Sequence, residues 1–125
     1  MGIFAGTVKN TGSSEAKKFS SDYGQLLMDG EIIEVGFVVV RDTFLFTNKR
    51  LILVNIQGIS GRQIEYLSIP YSNITKFSVQ TGESFDLNAE LKIWIGGDII
   101  PLEKKFNKDT NIYEVQKVLA GHVLR

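Results

Sequence analysis

The sequence predicts a mainly β domain with α: about seven antiparallel strands, an N-terminal helix before them and one C-terminal helix that caps them. Three observations carry that expectation. From Glu31 to Leu102 the chain is a succession of short runs rich in Val, Ile and Phe, each bounded by turn-forming residues. On either side the apolar spacing becomes helical, with Ala16, Phe19, Tyr23, Leu26 and Leu27 before the runs and Ile112, Val115, Leu119 and Val123 after them. A length of 125 residues, 43% hydrophobic and 22% charged, suits one globular domain.

In chain order, Ser13 or Ser14 can cap the first helix, with Glu15 near its positive end, and Asp29-Gly30 ends it. Strands are expected at Glu31 to Arg41, Thr43 to Thr47, Arg50 to Gln57, Arg62 to Ile69, Ile74 to Thr81, Asp86 to Ile95 and Asp98 to Phe106. Asp42-Thr43 and Asn48-Lys49 are expected as two-residue turns, and Pro70, lacking an amide hydrogen, suits a strand end. Asp109 is the expected N-cap of the closing helix. The domain boundaries follow: one domain over 1–125, with an arm and helix over 1–28, strands over 29–106 and a capping helix over 109–124. A β-sandwich competes, but it leaves the apolar face of the last helix without a partner.

The segment from Asp42 to Val54, DTFLFTNKRLILV, resembles the signature of bacterial pleckstrin-homology-like (PH-like) proteins. The stretches from Ile64 to Tyr71 and from Phe85 to Trp94 resemble the same family in the same order. The resemblance implies a PH-like barrel of about seven strands capped by the C-terminal helix, with no catalytic residue to carry over. It also implies a ring-like homo-oligomer, such as a pentamer. Asn88 stands where the family pattern has an acidic residue, against any cation-related role there.

Chemistry is sparse. Basic and acidic residues number 14 each, so no net field gathers nucleic acid or an anionic membrane. With no cysteine and one histidine, His122, a zinc site cannot be assembled, and His122 reads as a helix-terminal residue. Glu31 and Glu34 fall on opposite faces if their segment is a strand. Gly58-Ile59-Ser60-Gly61 lacks the Lys-Ser/Thr of a phosphate loop. Arg41-Asp42-Thr43, where many eukaryotic PH domains gather basic residues for phosphoinositides, offers one arginine beside an acid. Met1 to Thr7 begins like a myristoylation signal but has Gly6 where Ser or Thr belongs. Phe85 and Trp94 are expected to pack on the sheet near the closing helix. No apolar run approaches the roughly 20 residues of a spanning helix. The expectation is a cytoplasmic, non-enzymatic interaction module without catalytic, metal or cofactor residues, with no nucleic-acid partner and no stable membrane association. A phospholipid-binding adaptor is the alternative.

Strand parity supplies the candidate site. With the two turns as expected, Val39 lies opposite Phe46 and Phe46 opposite Leu51, so Val35, Phe37, Val39, Phe44, Phe46, Leu51 and Leu53 share the interior face. Val38, Val40, Leu45, Ile52, Val54 and Ile56 gather on the other face, where a solvated sheet alternates to polar side chains. Something must cover this second face: the N-terminal helix in part, and a neighbouring copy of the chain for the rest.

Overall fold

The computed structural model describes residues 6–9, 19, 21–39, 42–60, 62–82, 89–106 and 110–125, with side chains from residue 19 onward. Two compact units divide the chain, residues 1–68 and 69–125. The first contains β1 (Gly6–Lys9), helical residues 19 and 21–23 leading into a 3-10 turn (Gly24–Leu26), β2 (Ile33–Val39), β3 (Asp42–Thr47), β4 (Arg50–Gln57) and most of β5 (Gln63–Pro70). These strands form one sheet in the order β1-β2-β3-β4-β5. Strand β1 is additional to the seven expected; its Gly6, Thr7, Val8 and Lys9 pair with Val38 to Val35 of β2.

The pairing of β3 with β4 is as the turn chemistry predicts, Phe46 opposite Leu51 and Leu45 opposite Ile52. The β2–β3 pairing differs. Asp42 and Thr43 lie within β3, Val39 sits opposite Asp42, and Val35, not Val39, faces Phe46. Asp42 is held there because its carboxylate accepts from the Ile56 amide at 3.2 Å, which fastens the start of β3 to the end of β4. The displacement is four residues, an even number, so the described side chains from Val35 to Val54 keep their predicted faces. Phe37, Phe44, Phe46, Leu51 and Leu53 are all at most 1% exposed, with Phe37 and Phe46 packed edge to face at 5.8 Å.

In the second unit a 3-10 turn (Tyr71–Asn73) follows Pro70, then β6 (Ile74–Thr81), β7 (Ala89–Ile95) and β8 (Leu102–Phe106) make an antiparallel sheet. Strand β8 begins at Leu102, not Asp98. Gly96, at φ +57, opens a turn in which the Asp98 amide donates to the Ile95 carbonyl. The C-terminal helix (Ile112–Val123) packs on β6 and the Tyr71–Asn73 turn through Ile112, Val115 and Leu119. Its N-cap is Asn111, whose side-chain oxygen accepts from the Tyr113 amide at 3.0 Å. Asp109, Phe85 and the Ser13-Ser14 cap lie outside the described residues.

Leu119 is 0% exposed, so Leu119→Ala leaves a cavity under the helix. It is expected to cost about 2–5 kcal/mol in denaturant melts. An unchanged midpoint would mean that the helix contributes no packing.

Candidate functional site

Among the described residues, the most densely bonded polar site links the end of the N-terminal helical segment to the β3–β4 hairpin. Thr47 stands at its centre. The Thr47 hydroxyl accepts from the Lys49 and Arg50 amides at 3.0 and 2.9 Å, closing the turn, and donates to Glu31 Oε2 at 2.6 Å. Arg50 opens β4 and its guanidinium grips both Glu31 oxygens, Nε to Oε2 at 2.9 Å and Nη2 to Oε1 at 3.0 Å. Nη2 also donates to the Leu26 carbonyl, and Nη1 donates to Ser68 Oγ at 2.8 Å. Asn48 completes the site: its Oδ1 accepts from the Ile32 amide at 2.8 Å and its Nδ2 donates to the Gly30 carbonyl at 3.0 Å.

Glu31 is therefore a buried anion, its side chain 0% exposed, against an arginine side chain still 26% exposed. Burial by itself pushes the Glu31 carboxyl up. Hydrogen bonds from Arg50, Thr47 and the Met28 amide, with the Arg50 charge, more than offset this and hold it below the ordinary carboxylate value. The fork of two parallel bonds is why an arginine serves here; a lysine presents a point charge without that geometry.

What this polar site fastens is an apolar cover. Phe19, Tyr23, Leu26 and Leu27 pack on Ile33, Leu45, Ile52 and Val54, which are at most 3% exposed. Gly36 makes the approach close: a Cβ there would lie 2.8 Å from the Phe19 ring. Burial pushes the Tyr23 hydroxyl up, against the opposing effect of its hydrogen bond with Thr43. Of the six residues singled out from strand parity, Leu45, Ile52 and Val54 thus lie beneath the helical segment of their own chain. Val38 and Ile56 are half-buried, and Val40 lies outside the described residues. The same side of the sheet continues to β5, where Ile64 and Tyr66 remain 45% and 46% exposed.

The second unit is different in character. On the outward face of its sheet Lys92 reaches Glu90 at 3.9 Å and Glu103 at 4.0 Å, and Lys76 lies 4.6 Å over the Trp94 ring. Trp94 stands on the side opposite the buried Leu91 and Ile93. His122 ends the C-terminal helix, its ring stacked on Tyr71 at 4.2 Å. A shallow depression of about 280 Å³ is lined by Gln80, Thr81, Gly82, Ala89, Glu90 and Lys105. Among the described residues no three His, Cys, Asp or Glu side chains group to hold a metal, and no helix is long and apolar enough to cross a membrane.

Reading by residue pattern alone passes over Glu31 and Arg50 as a pair, because they are 19 positions apart and each looks like an ordinary strand-end charge. The signal was the polar run Thr47-Asn48-Lys49-Arg50 between two apolar strands.

This arrangement of strands, closing helix and hairpin recurs in known proteins. The sequence matches the family described as Bacterial PH domain over residues 2–123, and the chain belongs to that family. It is 46% identical to the Bacillus subtilis protein YjqA, covering 97% of this chain and 98% of that one. The B. subtilis protein YozO is 34% identical, with 98% of each covered. Among solved structures, the pleckstrin homology domain from Shewanella amazonensis SB2B superposes with a TM-score of 0.79 at 41% identity, covering 86% of this chain and 97% of its own. A DUF1696 family protein with a pleckstrin-homology domain from Shewanella loihica PV-4 gives 0.80 at 38% identity, covering 98% and 99%. The fold is PH-like, as the hairpin signature implied.

Because the folded-state carboxyl of Glu31 is held low, its contribution to stability is complete above the ordinary carboxylate range. It is lost as pH falls through the lowered folded value. Glu31→Gln is expected to destabilise at pH 7 by an amount at or below the lower end of about 3–5 kcal/mol, since Arg50 keeps some solvent. The gap between variant and wild type should close as pH falls below about 4. A gap that stays constant down to pH 2 would contradict an ionised Glu31.

Proposed function

We propose that the chain is a non-catalytic PH-like interaction module of the cytoplasm that self-associates, as a ring or pentamer, and scaffolds a protein partner. The observation that carries this is the apolar outer face of the five-stranded sheet, which its own helical segment covers only in part. Ile64 and Tyr66 stay 45% and 46% exposed on β5, the terminal strand of that sheet among the described residues. A second copy of the chain is the occupant that the balance of 14 basic and 14 acidic residues favours, since two copies carry no net mutual repulsion. The contact region thereby moves outward from Leu45, Ile52 and Val54, which the helical segment occupies, to Ile64 and Tyr66 of β5.

The alternative, a phospholipid-binding adaptor, rests on likeness of fold, a weak warrant for function. Light scattering coupled to gel filtration is expected to give a mass several times 14.0 kDa at micromolar concentration. Ile64→Glu or Tyr66→Glu should weaken the assembly at least tenfold, about 1.4 kcal/mol, while the monomer stays folded. A single 14.0 kDa species would defeat the proposal. Salt-sensitive, headgroup-selective sedimentation with phosphoinositide vesicles would put the adaptor reading in its place.

A further inference from the structure

In the second unit the chain passes from β7 to β8 through the turn Gly96-Gly97-Asp98-Ile99-Ile100-Pro101. Ile99 and Ile100 are 91% and 82% exposed there, the most exposed pair of adjacent large apolar side chains among the described residues. The turn holds them out firmly. The Gly96 amide donates to the Asn73 carbonyl at 2.8 Å, the Asp98 amide donates to the Ile95 carbonyl at 3.1 Å, and Gly96 takes φ +57, a conformation that favours glycine. Pro101 fixes its own φ directly after the pair. The Tyr71–Asn73 turn to which Gly96 is tied is itself packed against the C-terminal helix. Two isoleucines set on a turn bonded in this way lose little freedom when a partner covers them, so the ordering cost that a flexible loop carries is reduced.

We infer that this turn is the surface that meets β5 of a second copy, Ile99 and Ile100 of one chain seating on Ile64 and Tyr66 of the next. The inference deepens the self-association reading and rests on it. Charge selects a second copy as the occupant. Side chains alternate along β5, which places Arg62, directly before the strand, on the side of Ile64 and Tyr66. Glu65 turns to the other side, where it accepts from Asn55 Nδ2 at 2.9 Å. The exposed apolar pair of β5 is thus bordered by a cation, and the turn carries one charge, the carboxylate of Asp98 beside Ile99. When the two apolar pairs meet, opposite charges lie at the rim of the contact. An anionic lipid surface, the other apolar occupant, is repelled by Asp98. Joining two different patches makes the contact head-to-tail, the kind that a ring of more than two copies needs, whereas a patch that met only itself would stop at a two-fold dimer.

The test uses two variants of the full chain, one with Ile99→Glu and Ile100→Glu, the other with Ile64→Glu and Tyr66→Glu. All four positions are at least 45% exposed, so the substitutions leave the fold of each chain intact. Each variant alone is expected to assemble at least about tenfold more weakly than the wild type, because every contact in its assembly buries unpaired carboxylates. At a concentration where each variant alone is a single chain, light scattering of their equimolar mixture should show a species of two chains and nothing larger. The intact turn of the second variant then meets the intact β5 of the first, and the reciprocal contact is broken on both sides. A turn variant that assembles like the wild type, or a mixture that stays at 14.0 kDa, overturns the head-to-tail contact; wild-type assembly that the β5 variant loses leaves self-association standing. A wild-type chain that stays at 14.0 kDa overturns both, and if that chain sediments with phosphatidylserine vesicles and the turn variant does not, the occupant of the turn is a lipid surface.

Discussion

A single buried carboxylate organises the first unit. Glu31 lies between the end of the helical segment and the start of β2, and in that position it could not stay ionised unless the hairpin supplied both charge and hydrogen bonds. Arg50 and Thr47 do so from the two ends of one tight turn. The sheet register, the path of the chain through Gly30 and the seat of the helical segment all have to agree for these atoms to meet. Such a pair contributes little as raw stability compared with an apolar core, since its desolvation opposes its attraction. Its consequence is geometric: the helical segment has one place to end.

That end point matters because the sheet above it is apolar on both sides. Phe37, Phe44 and Phe46 fill one face, and Leu45, Ile52 and Val54 line the other, an arrangement that a solvated antiparallel sheet avoids. The helical segment resolves part of the conflict and leaves Ile64 and Tyr66 in water. The second unit shows the contrasting solution, with Lys92 pairing with Glu90 on its own strand and with Glu103 on the next. The two sheets of the chain thus carry outer faces of opposite chemistry, one apolar and largely covered by the helical segment, the other charged.

Much of this was legible in the residues. Alternation and turn chemistry located seven strands, and the 3.6-residue spacing of Ile112, Val115 and Leu119 gave the buried face of the closing helix. Face assignment survived even where register did not, because a four-residue shift preserves parity. What the pattern did not carry was long-range. Asp42 looked like a turn residue, and its bond to the Ile56 amide, 14 positions away, draws it into β3. Strand β1 has four residues and exists through its pairing with β2, so local propensity does not announce it. Glu31 and Arg50 each resembled a solvated strand-end charge until the fold brought them within 2.9 Å.

The central claim is that Glu31 and Arg50 act as one unit, and a double-mutant cycle tests it most directly. Stabilities of the wild type, Glu31→Gln, Arg50→Met and the double variant would be measured by denaturant melts at pH 7. The two substitutions should couple by at least about 1.5 kcal/mol, with the double variant no less stable than the worse single one, because removing both partners strands no buried charge. Effects that add to within about 0.5 kcal/mol would contradict the account and reduce the pair to two independent surface contacts.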